Sequence, residues 1–138
     1  MKTSEKDISA LLKLLAHLET SDAPNRQEVL KKRNIRPDYG NMSDSALSEC
    51  FRLKELAQKG TTFSRFQQRL GDGFAKRYKD DLGVNVDFVW GLLEDQTTYG
   101  TWPAPYYARR VGIILRKLKR QDLSERFSLA YCKHVIGS

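Results

Sequence analysis

A chain of 138 residues and 15.9 kDa has the length of one domain. At that size it buries roughly two-thirds of its unfolded surface and needs neither disulfide nor metal to fold. Forty per cent hydrophobic and 10% aromatic residues exclude a disordered tail, while a net charge of +7 suits a polyanionic partner.

No apolar run reaches the ~18 residues of a membrane span, and the residues from Met1 carry no secretory pattern. Cys50 and Cys132 are too few for a disulfide framework or a four-cysteine zinc site. The expectation is a single helical domain over residues 1–138, soluble and cytoplasmic, without cofactor or metal.

The periodicity is helical throughout, and no stretch reads as a sustained alternating strand. Ser4 with Asp7 makes a capping arrangement, followed by an apolar face of Ile8, Leu11, Leu12, Leu15 and Leu18 on a helix ending near Thr20. Asp22 and Pro24 open a second helix, which stops before Pro37, and Arg36 to Asn41 reads as a loop. Ser43 caps a third helix with Leu47, Cys50, Phe51 and Ala57 inward and Gly60 as its stop.

Thr61 or Thr62 restarts the chain with the stripe Phe63, Phe66, Leu70, Phe74 and Tyr78. Gly71 and Gly73 interrupt that stripe, either for close packing or as a bend between two short helices, and Gly83 closes it. Asn85 then caps a short helix carrying Phe88, Val89, Leu92 and Leu93. Gln96 to Pro103 reads as a loop. Pro103 or Pro105 opens a helix to about Arg120, and Asp122 or Ser124 caps a last one with Leu123, Phe127, Tyr131 and Val135. The fold class is all-α, a compact bundle of six or seven short to medium helices around one core.

The charge is unevenly spread. Residues 61–100 hold 5 Lys/Arg against 6 Asp/Glu, whereas residues 101–138 hold 8 against 2. On a helical wheel Tyr107, Val111, Ile114, Leu115 and Leu118 share one side, and Arg109, Arg110, Arg116, Lys117, Lys119 and Arg120 share the other. Arg109, Arg116 and Arg120 are nearly collinear there, and Arg126 and Lys133 extend the surface if the last helix folds back. Guanidinium groups in such a row offer bidentate donors to phosphates. Six cations without an acid on that face separate it from an ordinary solvated helix, whose cations commonly have i,i+4 carboxylate partners.

Tyr99, Trp102 and Tyr106 lie in the loop before this helix, either to stack on unpaired bases or to cover one end of the core. Leu56 to Leu70 has the outline of a helix-turn-helix with Ser64, Arg65, Gln67, Gln68 and Arg69 outward, and an ordinary helical hairpin explains the same residues.

Little points to catalysis. His17 sits on an apolar helix and reads as a packed histidine; Cys132 and His134 lack the further ligands of a zinc site. Both cysteines read as small core residues. Asp80-Asp81 and Glu94-Asp95 are neighbours that diverge by 100° on a helix, a poor arrangement for one metal. The sequence therefore leads to a non-catalytic nucleic-acid-binding protein, for DNA or RNA, acting alone, as a small subunit of a nucleoprotein complex or as a regulator. Its alternative is a protein-interaction module, an adaptor or regulator whose basic face meets an acidic protein.

Overall fold

The computed structural model describes residues 4–34, 39–101 and 103–137. Among these residues it is an all-α bundle of eight helices without strands. In chain order they are α1 (Glu5–Thr20), α2 (Arg26–Asn34), α3 (Asp44–Lys59), α4 (Thr62–Leu70), α5 (Phe74–Arg77), α6 (Leu82–Tyr99), α7 (Pro105–Lys117) and α8 (Gln121–Cys132). A 3₁₀ turn at Tyr39–Asn41 precedes α3, and a π-helical turn at Lys133–Gly137 follows α8. The expected loop residues Arg36, Pro37 and Asp38 lie outside the described residues.

Helix α1 starts where its caps dictate. The Ser4 hydroxyl accepts from the Asp7 N–H and the Asp7 carboxylate accepts from the Ser4 N–H, a reciprocal capping box. Leu11, Leu14, Leu15 and Leu18 go into the core, whereas Leu12, expected inward, is exposed because it lies 100° off that stripe. Helix α2 begins one residue beyond Asn25, whose side-chain oxygen accepts from the N–H groups of Gln27 and Glu28, and it seats Val29 against α6. Ser43 caps α3 through the Ala46 N–H as expected, but Phe51 points outward. The Ala57 side chain lies outside the described set.

The Phe63–Tyr78 stripe belongs to two helices. Gly71 (φ 88°) caps α4 and Gly73 (φ 72°) precedes α5, both in backbone conformations that glycine adopts at little cost. Gly83 does not close this segment. It stands in the first turn of α6, which is capped by Asp81, whose carboxylate accepts from the Val84 N–H. Asn85 is therefore not a cap of α6. Its buried amide donates to the Tyr78 and Asp81 carbonyls and ties off the turn before the helix. At the far end Gln96 to Tyr99, expected as loop, form the last turn of α6, and left-handed Gly100 stops it.

Helix α6 is the hub, in contact with α1, α2, α4 and α7. It is apolar on most of its circumference, the pattern of a helix buried on several sides. Phe88 at its middle stacks on Tyr107 of α7 (ring centroids 3.8 Å apart) and on Phe74 of α5 (5.5 Å), and takes Phe66 of α4 edge-on at 4.6 Å.

One buried hydrogen bond and one close approach lock α4 to this hub. The Asp95 carboxylate accepts from the Thr62 N–H at 3.0 Å, placing negative charge on the N-terminus of α4. Gly91 faces Thr62 so closely that a β-carbon there would sit 2.4 Å from the Thr62 hydroxyl oxygen and 2.5 Å from its methyl carbon. Both are atoms of a side chain pinned in the core, so the helices must part to admit a methyl group. Gly91→Ala is expected to lower unfolding stability by about 1–3 kcal/mol in urea titration, and an unchanged midpoint would contradict the close approach.

Candidate nucleic-acid interface

Helix α7 takes Pro105 at its first position, where the missing N–H is no loss, and turns Tyr107, Val111, Ile114 and Leu115 inward as expected. It stops at Lys117, earlier than the sequence indicates. The Arg120 N–H reaches the Leu115 carbonyl and the Lys119 N–H reaches the Arg116 carbonyl, the bond pair of a Schellman turn. Lys119 holds the left-handed position of that turn (φ 61°), normally occupied by glycine. The reversal turns Leu118, expected in the core, out to solvent. It also removes Arg120 from the α7 face, so the expected row of Arg109, Arg116 and Arg120 is not formed.

The eight expected cations divide into two sets. Arg110 is 15% exposed; its guanidinium donates to the Lys79 carbonyl at 2.9 Å and to the Asp80 carboxylate at 2.7 Å. Lys117 donates to the same carboxylate oxygen at 3.1 Å. The Lys117 hydrogen bond, with the charges of Lys117 and Arg110, holds the Asp80 carboxyl below its ordinary range. Arg120 forks onto Asp122, and Arg126 forks onto Glu19 (2.6 and 3.0 Å), fastening α8 to α1. These four correct the expectation of a ridge without carboxylate partners. Apart from the largely buried Arg110 they sit at the surface, where an ion pair contributes little to stability; Arg120 and Arg126 each have a carboxylate, while Arg110 and Lys117 share one.

Arg109, Arg116, Lys119 and Lys133 make the second set, all exposed and, among the described residues, without an ion pair. Arg109 and Arg116 flank the outer stripe of α7, which also carries Tyr106, 43% exposed and edge-on to Tyr107 at 5.1 Å. Tyr99 is half-buried at the end of α6, and Trp102 lies outside the described residues. The structure thus brings Tyr106 to the basic face and leaves Tyr99 partly in the bundle.

The α3–α4 hairpin gives little sign of base reading, since its polar groups are occupied locally. Arg65 donates to the Thr62 hydroxyl, Gln67 to Asp72, and Arg69 lies over the Phe66 ring at 4.6 Å. Asp80, Asp81 and Asp95 serve as ion-pair partner, helix cap and buried cap respectively. Among the described residues no three His, Cys, Asp or Glu side chains gather as a metal site, and no helix is long and apolar enough to cross a membrane. Cys132, expected in the core, is exposed, while Cys50 is half-buried.

Asp122 stands two residues from Arg120, but the other two carboxylates that meet the ridge were not signalled by the sequence. Asp80 lies 30 positions from Arg110, and Glu19 lies 107 from Arg126. Only the fold brings them together.

His17 packs as expected, its ring 4.7 Å from that of Trp90 and 5.5 Å from that of His134. His134 is buried, and its Nδ1 has no partner. Burial and the neighbouring His17 hold its pKa below the ordinary 6.5, against a hydrogen bond to the Ser21 backbone.

Comparison with protein-family models, curated proteins and solved structures finds no match for this chain.

Two outcomes follow from this geometry. Lys119→Gly relieves the left-handed backbone and is expected to raise stability by about 1 kcal/mol, read as a higher urea midpoint. His134 binds its proton more weakly folded than unfolded, so stability is full above about pH 6.5 and declines as pH falls through and below that value. Melting at pH 7.5 and pH 5.5 is expected to give a lower Tm in acid, with a smaller gap in His134→Gln.

Proposed function

We propose that this chain is a non-catalytic nucleic-acid-binding protein that meets phosphates with the outer face of α7 and the turn after it. One observation carries the reading: α7 contains no acidic residue, and Arg109, Arg116 and Lys119 stand on it and its turn exposed and, among the described residues, without an ion pair. Asp80 adds to this, because one carboxylate shared between Arg110 and Lys117 leaves one positive charge uncompensated. Arg109 and Arg116 are separated by about 10 Å of helix rise, with Tyr106 on the same face as a flat surface for a sugar or base. Lys119 supports the reading in another way: a lysine occupies a backbone position where glycine would be more stable, so its side chain has a use that offsets the strain. Of the remaining five cations of the sequence reading, Arg110, Lys117 and Arg126 act first as ties between elements of the fold, Arg120 pairs locally with Asp122, and Lys133 stands apart from α7 on the turn after α8.

Contacts of this kind release condensed counterions and carry no sequence preference. Three phosphate contacts on duplex DNA give a slope of log affinity against log salt near −2.7, a roughly forty-fold loss between 50 and 200 mM salt. A single strand gives a slope near −2.1. Fluorescence anisotropy with mixed-sequence DNA and RNA reads both. Arg109→Gln with Arg116→Gln is expected to bring the duplex slope to about −0.9 without moving Tm, and Lys13→Gln on α1 to leave it unchanged. Absence of binding at 50 mM salt, or a slope indifferent to the arginines, overturns the reading and leaves the acidic-protein alternative.

A further inference from the structure

Leu129 is the most exposed large apolar side chain among the described residues, at 74%. It forms a ridge along the outside of α8 between two open grooves. Leu18, Ala130 and Lys133 border the first (290 Å³), and Arg116, Glu125 and Ser128 border the second (440 Å³). A lone surface leucine needs no explanation. Its charged flanks are the informative feature: Glu125 lies one turn before it and Lys133 one turn after it, both exposed and, among the described residues, neither in an ion pair, Glu125 accepting only a hydrogen bond from the Gln121 amide at 3.3 Å. Lys133 still has helical dihedrals (φ −61°, ψ −44°), so it stays on the face that Glu125 and Leu129 define.

This pattern is complementary to itself in one direction only. Two α8 helices packed antiparallel about a twofold axis at Leu129 set residue 129 − n against residue 129 + n of the other copy. Leu129 then meets Leu129, and each Glu125 faces a Lys133. Parallel pairing sets Glu125 against Glu125 and Lys133 against Lys133, which is repulsive. Ridge-into-groove packing supplies the shape, with each Leu129 ridge lying in the other copy's groove between Leu18, Ala130 and Lys133, so that the groove bordered by Arg116 stays open.

We propose that the outer face of α8 is an isologous interface through which two copies of this chain associate, antiparallel across Leu129, with reciprocal Glu125–Lys133 ion pairs. One helix face is well below the ~800 Å² per partner of a standard stable interface. The dimer is therefore weak and appears as concentration rises. In this arrangement the two α7 faces of the pair belong to one particle.

Sedimentation of the ligand-free protein tests this apart from any binding activity. Average mass is expected to rise from 15.9 kDa toward twice that value between micromolar and millimolar protein. Leu129→Arg holds the chain monomeric across the range with an unchanged helical circular dichroism spectrum, since the side chain it replaces lies in solvent. Glu125→Lys alone and Lys133→Glu alone each weaken association roughly tenfold, through two repulsive contacts per dimer. The two together restore it to near the wild-type value. In a Cys50→Ser, Cys132→Ser background, Leu129→Cys gives a disulfide-linked dimer under mild oxidation. A chain that stays monomeric to millimolar concentration, a dimer indifferent to Leu129→Arg, or a double charge swap that fails to rescue would each overturn the proposal.

Discussion

The bundle depends on the stack of Phe88 on Tyr107. That contact joins the middle of α6 to the first turn of α7, and Phe66 and Phe74 close on the same ring from α4 and α5. Three helices and the basic face are thereby positioned by one aromatic side chain. A face of cations repels itself, and it is held flat here because the other side of the same helix is anchored by apolar burial of Val111, Ile114 and Leu115.

Charge on this molecule has two uses, and geometry separates them. Cations that reach a carboxylate on another element, Arg110 on Asp80 and Arg126 on Glu19, join parts of the chain that local sequence leaves independent. Cations that, among the described residues, reach none are Arg109 and Arg116 on the outer side of α7, Lys119 in its turn and Lys133 just after α8. The net charge alone does not distinguish the uses. The proposed function and the proposed dimer draw on the second set, with Lys133 given to self-association and the other three to phosphate.

Amphipathic helices were legible in the sequence, whereas of the largely buried α6 only the middle was. The start of α1, the inner face of α7 and the Leu123–Phe127 side of α8 follow a 3.6-residue period and stand where that period puts them. Helix α6 is apolar nearly all round, so no stripe marks its length, and Gly83 and the Gln96–Tyr99 turn read as boundaries. In fact Gly83 marks a close approach, with a β-carbon there only 2.5 Å from the Asp7 carboxylate. The end of α7 was hidden for the opposite reason. A glycine at position 119 would have announced the stop; a lysine in the left-handed position conceals it and carries the helical reading on to Arg120. The candidate site was therefore half legible. Arg109 and Arg116 lie on the outer face of α7 as the helical period places them, while the pairing of Arg110 and Arg126 depended on contacts far apart in sequence.

The divided loyalty of Asp80 has a thermodynamic consequence. Lys117 can serve this carboxylate or an incoming anion, but one ammonium cannot satisfy both at full strength. Any anion that recruits Lys117 loosens the bond between α7 and the corner before α6, and any tightening of that bond weakens the anion's hold by the same factor. Arg110, anchored also on the Lys79 carbonyl, keeps the corner closed meanwhile. Surface occupancy and the docking of α7 are thus two readings of one equilibrium.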